Sequence, residues 1–249
     1  MIYLQHYKNN NIKPYYTLFY TMTDLLSKYK LHLVHAIDKS NRKTSKLIDE
    51  LFNIQGMTGV ITKHFYNNLL DMDDARYLEI GCYKGSSTCS AMYDNSANLT
   101  CIDNWHDFLL NELHNGVDKN EPIQEFIANV RKYKGKNELT FYNEDCFTID
   151  TNKLDKFNIY LYDGDHSYES QYKALSYYID NMDDVFILIV DDWNDEPVRN
   201  GTFDAIRDLK LFNLWNYEIR LTNDNTHTPS EIAHKTWWNG CYICILSKV

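Results

Sequence analysis

The sequence predicts an α/β protein, a doubly wound seven-stranded sheet that is mostly parallel with its last strand antiparallel, behind an N-terminal helical cap. Three observations predict it. From Tyr77 onward, short apolar runs alternate with stretches of helical spacing. The connections are short, and strand–helix–strand repeats of this kind build a parallel sheet with helices on both faces. Nearly every apolar run ends in an acid, at Glu79, Asp103, Glu144–Asp145, Asp163 and Asp191–Asp192.

The elements follow in order. TLFYTMTDLLSKYKLHLVHAI, KTSKLIDELFN and HFYNNLL carry helix-like apolar spacing up to the turn at Asp71–Asp74, and form the cap. ARYLEIG reads as a first strand, with SSTCSAMYD a helix after it. NLTCIDN is a second strand, IQEFIANVRKY a helix and LTFYNED a third strand. FNIYLYDGD is a fourth strand, followed by the helix SYESQYKALSYYIDNM. VFILIVDDW is a fifth strand and FDAIRDLKLF a helix. YEIRLT and GCYICILSK close the chain as a hairpin-like pair, with NDNTHTPSEIAHKTWWNG a polar loop between them.

Composition bounds the function. The 249 residues suffice for one large domain with decoration, and 44% hydrophobic with 24% charged content is ordinary for a folded chain. No apolar run approaches the ~20 residues of a membrane helix, and MIYLQHYKNNNIKPYY lacks the layout of a secretory signal. A cytoplasmic protein without a membrane partner is expected. The net charge of −10 argues against nucleic acid as the main partner. Cys82, Cys89, Cys101, Cys146, Cys241 and Cys244 read as reduced, buried thiols. Cys241 and Cys244 form a CxxC, but residues three apart on a strand face opposite sides, so a metal knuckle is not expected. A homo-oligomer is left open.

In an open parallel sheet the ligand sits beyond the carboxyl ends of the strands. The turn after the first strand is Glu79, Gly81 and Gly85, E-x-G-x-x-x-G, not the GxGxxG of a pyrophosphate site. An acid before the first glycine suits an ammonium. Asp103, 18 residues beyond Gly85, is placed to accept ribose hydroxyls, and Asp145 to accept from an adenine amine. Amino acid, ribose and adenine together describe S-adenosylmethionine.

On these residues the chain resembles the class I S-adenosylmethionine-dependent methyltransferases, which have a Rossmann-like fold. The likeness covers roughly residues 75–249, leaving 1–74 as the cap. EIGCYKGSST resembles the family's first motif, CIDNW its ribose acid and NEDCF its adenine-side motif. It implies cofactor contacts from Glu79, Gly81, Tyr83, Lys84, Gly85, Ser86, Ser87, Asp103, Asn104, Asp145, Cys146 and Asp163. YDGDHSYE with the later VDDW resembles the macrocin O-methyltransferase-like group of small-molecule and sugar O-methyltransferases. That likeness implies a divalent metal, Mg²⁺, on Asp163, Asp191 and Asp192, a small-molecule acceptor such as a sugar, and Asp165 as the base. His166 is an alternative base, because imidazole titrates near neutrality. Asn194 is a candidate to complete the coordination sphere.

Structural readings compete with these. Asp165 can cap the following helix, and Asp191–Asp192 can be a solvated loop. Cys82 and Cys146 read as packing residues; so do His64, His106 and His114, or as surface ones. Trp237–Trp238 either wall a substrate pocket or anchor the last loop. Two further functions stay open: a metal-independent methyltransferase, and a cofactor-binding module without catalysis. The chain has no D/N-P-P-Y/F/W motif for base amino methylation.

Overall fold

A computed structural model describes residues 13–105 and 121–249, with backbone alone for 13–22 and 121. The first twelve residues of the predicted cap, and His106 and His114, lie outside the described residues. The cap contributes α1 (Lys13–Asn41), α2 (Asp49–Phe52) and α3 (Val60–Leu69). There follow β1 (Arg76–Ile80), α4 (Ser86–Met92), β2 (Asn98–Asp103), α5 (Glu121–Tyr133) and β3 (Glu138–Asn143). Then come β4 (Phe157–Tyr162), α6 (Tyr168–Tyr178), β5 (Met182–Asp191), α7 (Glu196–Asp208), β6 (Phe212–Ile219), α8 (Ser230–Ala233) and β7 (Cys241–Ser247).

The seven strands form one sheet in the order β3-β2-β1-β4-β5-β7-β6. β1 to β5 are parallel, and β7 runs antiparallel to both β5 and β6. The order reverses at β1/β4, where an open sheet leaves a crevice at its carboxyl edge. Register aligns that edge: Ile80 pairs with Ile102 and Tyr162, Tyr162 with Val190, and Asp191 with Cys241.

Side-chain alternation divides the core into two layers. Tyr77, Leu161, Ile187, Ile189, Cys241 and Ile243 pack with Leu33, Phe65, Tyr66 and Leu69 of the cap. Leu78, Tyr160, Phe186, Leu188 and Tyr242 pack with Leu175 and Tyr178 of α6 and Val198 and Ala205 of α7. Cys241 and Cys244 accordingly lie in opposite layers.

Several boundaries differ from the sequence reading. KTSKLIDELFN holds only the four-residue α2. The helix read at FDAIRDLKLF begins earlier, at Glu196 with Pro197 in its first turn, and stops at Asp208. It stops because Lys210 takes a left-handed conformation, φ 56°, and the Leu211 amide bonds back to the Ile206 carbonyl. Glycine is the usual residue there, so the sequence lacked the signal, and β6 starts at Phe212. The polar loop contains the short α8.

The cap is joined to that last loop. The amides of Val60 and Ile61 donate to the carbonyls of His234 and Thr236, at 2.9 and 3.1 Å. Gly59 allows this close approach, since a Cβ there would lie 2.1 Å from the Thr236 carbonyl oxygen.

Candidate active site

The turn after β1 is fixed by its neighbours. The Gly81 amide donates to the Ile102 carbonyl, and the Asp163 amide donates to that of Ile80. Gly81 has φ +85°, and a Cβ there would sit 1.9 Å from the Asp163 carbonyl oxygen. Only glycine satisfies both conditions. Gly85 then caps α4.

The sequence reading places Glu79, Ser87 and Lys84 at the cofactor; the structure turns all three inward. Glu79 is fully buried, and its carboxylate accepts from the Ser87 and Thr88 hydroxyls, bracing the turn against α4. Burial raises its pKa to about 8, against the pull of those two bonds. Ser86 is also buried. Lys84 reaches away to Glu125 and Gln55, at 2.7 and 2.9 Å.

Asp103 clasps the same turn. One carboxylate oxygen accepts from the amides of Cys82 and Tyr83, at 2.7 and 2.8 Å, and the other from Trp105 at 2.7 Å. Asn104 is half-buried beside it. Trp105 packs on Phe126 and donates its indole hydrogen to the Tyr83 carbonyl. The sequence reading missed Trp105 as part of this wall. Asp145 is exposed at the end of β3 and accepts from the Phe147 amide at 2.7 Å. The half-buried Cys146 thiol is pushed up to about 12 by burial.

The acids of β4 and β5 form a second group. Alternation carries Asp163 and Asp191 to the cap side of the sheet, with Leu161 and Ile189. Asp192 follows in a left-handed conformation, φ 53°, which redirects its carboxylate. His166 stands between them, Nδ1 3.1 Å from Asp192 and Nε2 3.7 Å from Asp163. Burial alone would lower the His166 pKa, but the Asp163 and Asp192 carboxylates raise it to about 9. Burial raises Asp163 to about 6 and Asp191 well above the carboxylate range. Oδ1 of Asp191, Oδ1 of Asp192 and Nε2 of His166 are buried without a hydrogen-bond partner. Such atoms are costly unless a ligand meets them.

Donor chemistry fits a hard divalent cation, since the carboxylates offer oxygen only. The carboxylates of Asp163, Asp191 and Asp192 are not all within 4.8 Å of one another, however. Among the described residues the set that tight is Glu79, Cys82 and Cys101, all buried. Closing the three aspartates on one ion therefore requires a side-chain rotation.

Other candidates are used by the scaffold. Asp165 is exposed and accepts from the Ser167 and Ser170 hydroxyls, at 2.5 and 2.6 Å, turned toward the start of α6. Burial acts to raise its pKa, but those bonds leave it lowered, the wrong direction for a base. Asn194 donates to Thr228 and Asn239 and accepts from the amides of Leu221 and Thr222, so it staples the last loop. Trp237 anchors that loop on Phe65 and Asn41. Trp238 is half-exposed beside the His234 ring, 4.8 Å away. His64 is buried and paired with Ser45.

Residues 78–193 match a family model described as a methyltransferase domain. No curated protein sequence matches the chain. Its fold is similar to that of an O-methyltransferase from Bacillus cereus solved in complex with SAH (TM-score 0.51, 11% identity, 87% of this chain and 90% of that one). It is also similar to TrmN from Thermus thermophilus (TM-score 0.51, 10% identity, 80% of this chain); there the chain spans about half, 52%, of the other's length. At such identities the likeness is one of fold. The family model covers 116 of the 249 residues and supports a methyltransferase domain there.

Two outcomes are expected. Gly81→Ala places a methyl against the Asp163 carbonyl and should abolish S-adenosylhomocysteine binding by calorimetry while the circular dichroism spectrum is kept; normal binding would place the cofactor elsewhere. His166 has a raised folded pKa, so its ion pairs stabilise fully below about pH 6.5 and are lost as pH rises through about 9. The melting temperature in EDTA should fall across that window in wild type, and fall less in His166→Asn.

Proposed function

We propose that the chain methylates a hydroxyl of a small-molecule acceptor, a sugar in the reading the motifs favour, with a divalent cation such as Mg²⁺ held by Asp163, Asp191 and Asp192. One observation carries this: three buried or half-buried carboxylates and His166 gather at the carboxyl edge, beside the Gly81 turn, with buried polar atoms that no protein group meets. The cofactor would lie along the turn, with Asp103 toward its ribose and Asp145 toward its adenine. It supplies an electrophilic methyl and a neutral thioether leaving group. The cation would supply an oxygen site that lowers the pKa of an aliphatic hydroxyl.

The chain must align that hydroxyl and take its proton. His166 is placed to do so. Asp192 orients Nδ1, and Nε2 is buried without a hydrogen bond, 3.7 Å from the Asp163 carboxylate. Held at about 9, the imidazole is a stronger base than a free one, but carries its proton at neutral pH until the acids are otherwise neutralised. Asp165, bonded to two serines, orders the loop. The cap, the end of the last loop and Trp238 would border the acceptor. The net charge of −10 suits a small acceptor over a nucleic acid, and six free cysteines suit the cytoplasm.

A metal-independent enzyme is the second reading. It is favoured by the separation of the three carboxylates and by His166, which already supplies a cation among them. The two readings part in a melting experiment. On the first, Mg²⁺ raises the melting temperature by linkage, Asp191→Asn removes most of that rise, and S-adenosylhomocysteine affinity changes by less than about twofold. No response of wild type to Mg²⁺, with methyl transfer surviving EDTA, would select the second.

A further inference from the structure

Beneath the glycine turn lies a cluster that the proposed reaction does not use. Glu79 of β1 and Cys101 of β2 are register partners in neighbouring parallel strands, so their side chains stand side by side on one face of the sheet. Cys82 returns to the same place from beyond Gly81. Its thiol lies 3.8 Å from the Glu79 carbonyl and 3.9 Å from that of Ile102. A carboxylate oxygen of Glu79 and the two sulfurs all lie within 4.8 Å of one another, and none of the three residues is more than 2% exposed. The carboxylate is already oriented, because the Ser87 and Thr88 hydroxyls hold its two oxygens. Tyr77, two residues earlier on the same face of β1, is wholly buried, and its phenol oxygen has no hydrogen-bond partner. Packing alone explains neither the carboxyl nor the phenol, since buried polar groups are costly unless met.

Two thiols and a carboxyl are the donors of a thiophilic ion such as Zn²⁺; Mg²⁺ takes oxygen. Donors around a tetrahedral zinc ion stand about 3.5–4 Å apart, so small rotations of the thiols close this cluster on one. Burial raises all three groups, Glu79 to about 8, so each tends to keep its proton until a cation displaces it.

We propose that Glu79, Cys82 and Cys101 form a buried site for one thiophilic divalent cation, of which Zn²⁺ is the type, with Ser87 and Thr88 orienting the carboxylate from outside. The ion would tie the end of β1, the glycine turn and β2 together. The Cys82 amide is one of those that hold Asp103, so the ion would brace the turn from beneath. The site is separate from the acid centre of Asp163, Asp191 and Asp192.

The test is titration of reduced, metal-free wild type, Cys82→Ala, Cys101→Ala, Glu79→Gln, Cys244→Ala and Asp191→Asn. Zn²⁺ binding is read by calorimetry, Cd²⁺ binding by thiolate charge-transfer absorption, and the fold of each variant by circular dichroism. Wild type should bind one Zn²⁺ per chain and show the Cd²⁺ band, and excess Mg²⁺ should displace neither ion. Cys82→Ala and Cys101→Ala should each lose Zn²⁺ binding and at least half of the band. Glu79→Gln, which keeps both thiols, should keep the band and bind Zn²⁺ about tenfold more weakly or worse. Cys244→Ala, altered in the opposite layer, and Asp191→Asn should match wild type. A wild type with neither signal overturns the site. So does a band that survives both Cys82→Ala and Cys101→Ala, Zn²⁺ affinity unchanged in Glu79→Gln, or Zn²⁺ binding that Asp191→Asn or Cys244→Ala removes.

Discussion

The carboxyl edge of this sheet depends on one close approach, that of Gly81 to the carbonyl of Asp163. Main chain meets main chain there, with no room for a Cβ and with φ +85°. The contact sets the turn that would hold the cofactor directly against the strand end that begins the acid centre. Two amide bonds, Gly81 to Ile102 and Asp163 to Ile80, lock it from either side. A methyl donor lying along the turn would therefore be brought beside the carboxylates. The inward-facing Glu79, Ser87 and Thr88 brace that turn from beneath.

Charge balance shapes the second half of the site. Asp191 and Asp192 are buried, and Asp163 is close to both His166 and Asp191. Carboxylates in such a place cannot all ionise without a positive partner. His166 is that partner within the chain, which is why its proton is held to about 9. A divalent ion would do the same work and leave the imidazole free to act as a base. Cation occupancy would thus be coupled to the protonation of one side chain.

Much of this was legible in the sequence. Apolar runs ending in acids located the strand ends. Alternation carried the separation of Cys241 from Cys244. What escaped was direction within turns. Asp165 and His166 are adjacent, and spacing does not say which faces the acids; the serines at 167 and 170 draw Asp165 aside. The redirected Asp192 and the left-handed Lys210 occur at non-glycine residues, where no sequence signal marks a positive φ. Asn194 looked like a ligand and is a staple, because its partners come from a loop some thirty residues away.

The central claim is that Asp163, Asp191 and Asp192 hold a divalent cation beside the cofactor turn. The most direct measurement is a crystal structure grown with S-adenosylhomocysteine and Mn²⁺, with anomalous scattering used to locate the ion. One ion is expected, bound by carboxylate oxygens of all three aspartates at about the 2.1 Å of a small octahedral cation, with His166 turned toward the acceptor side. An anomalous peak at Glu79, Cys82 and Cys101 alone, or no peak beside an occupied cofactor site, would contradict it.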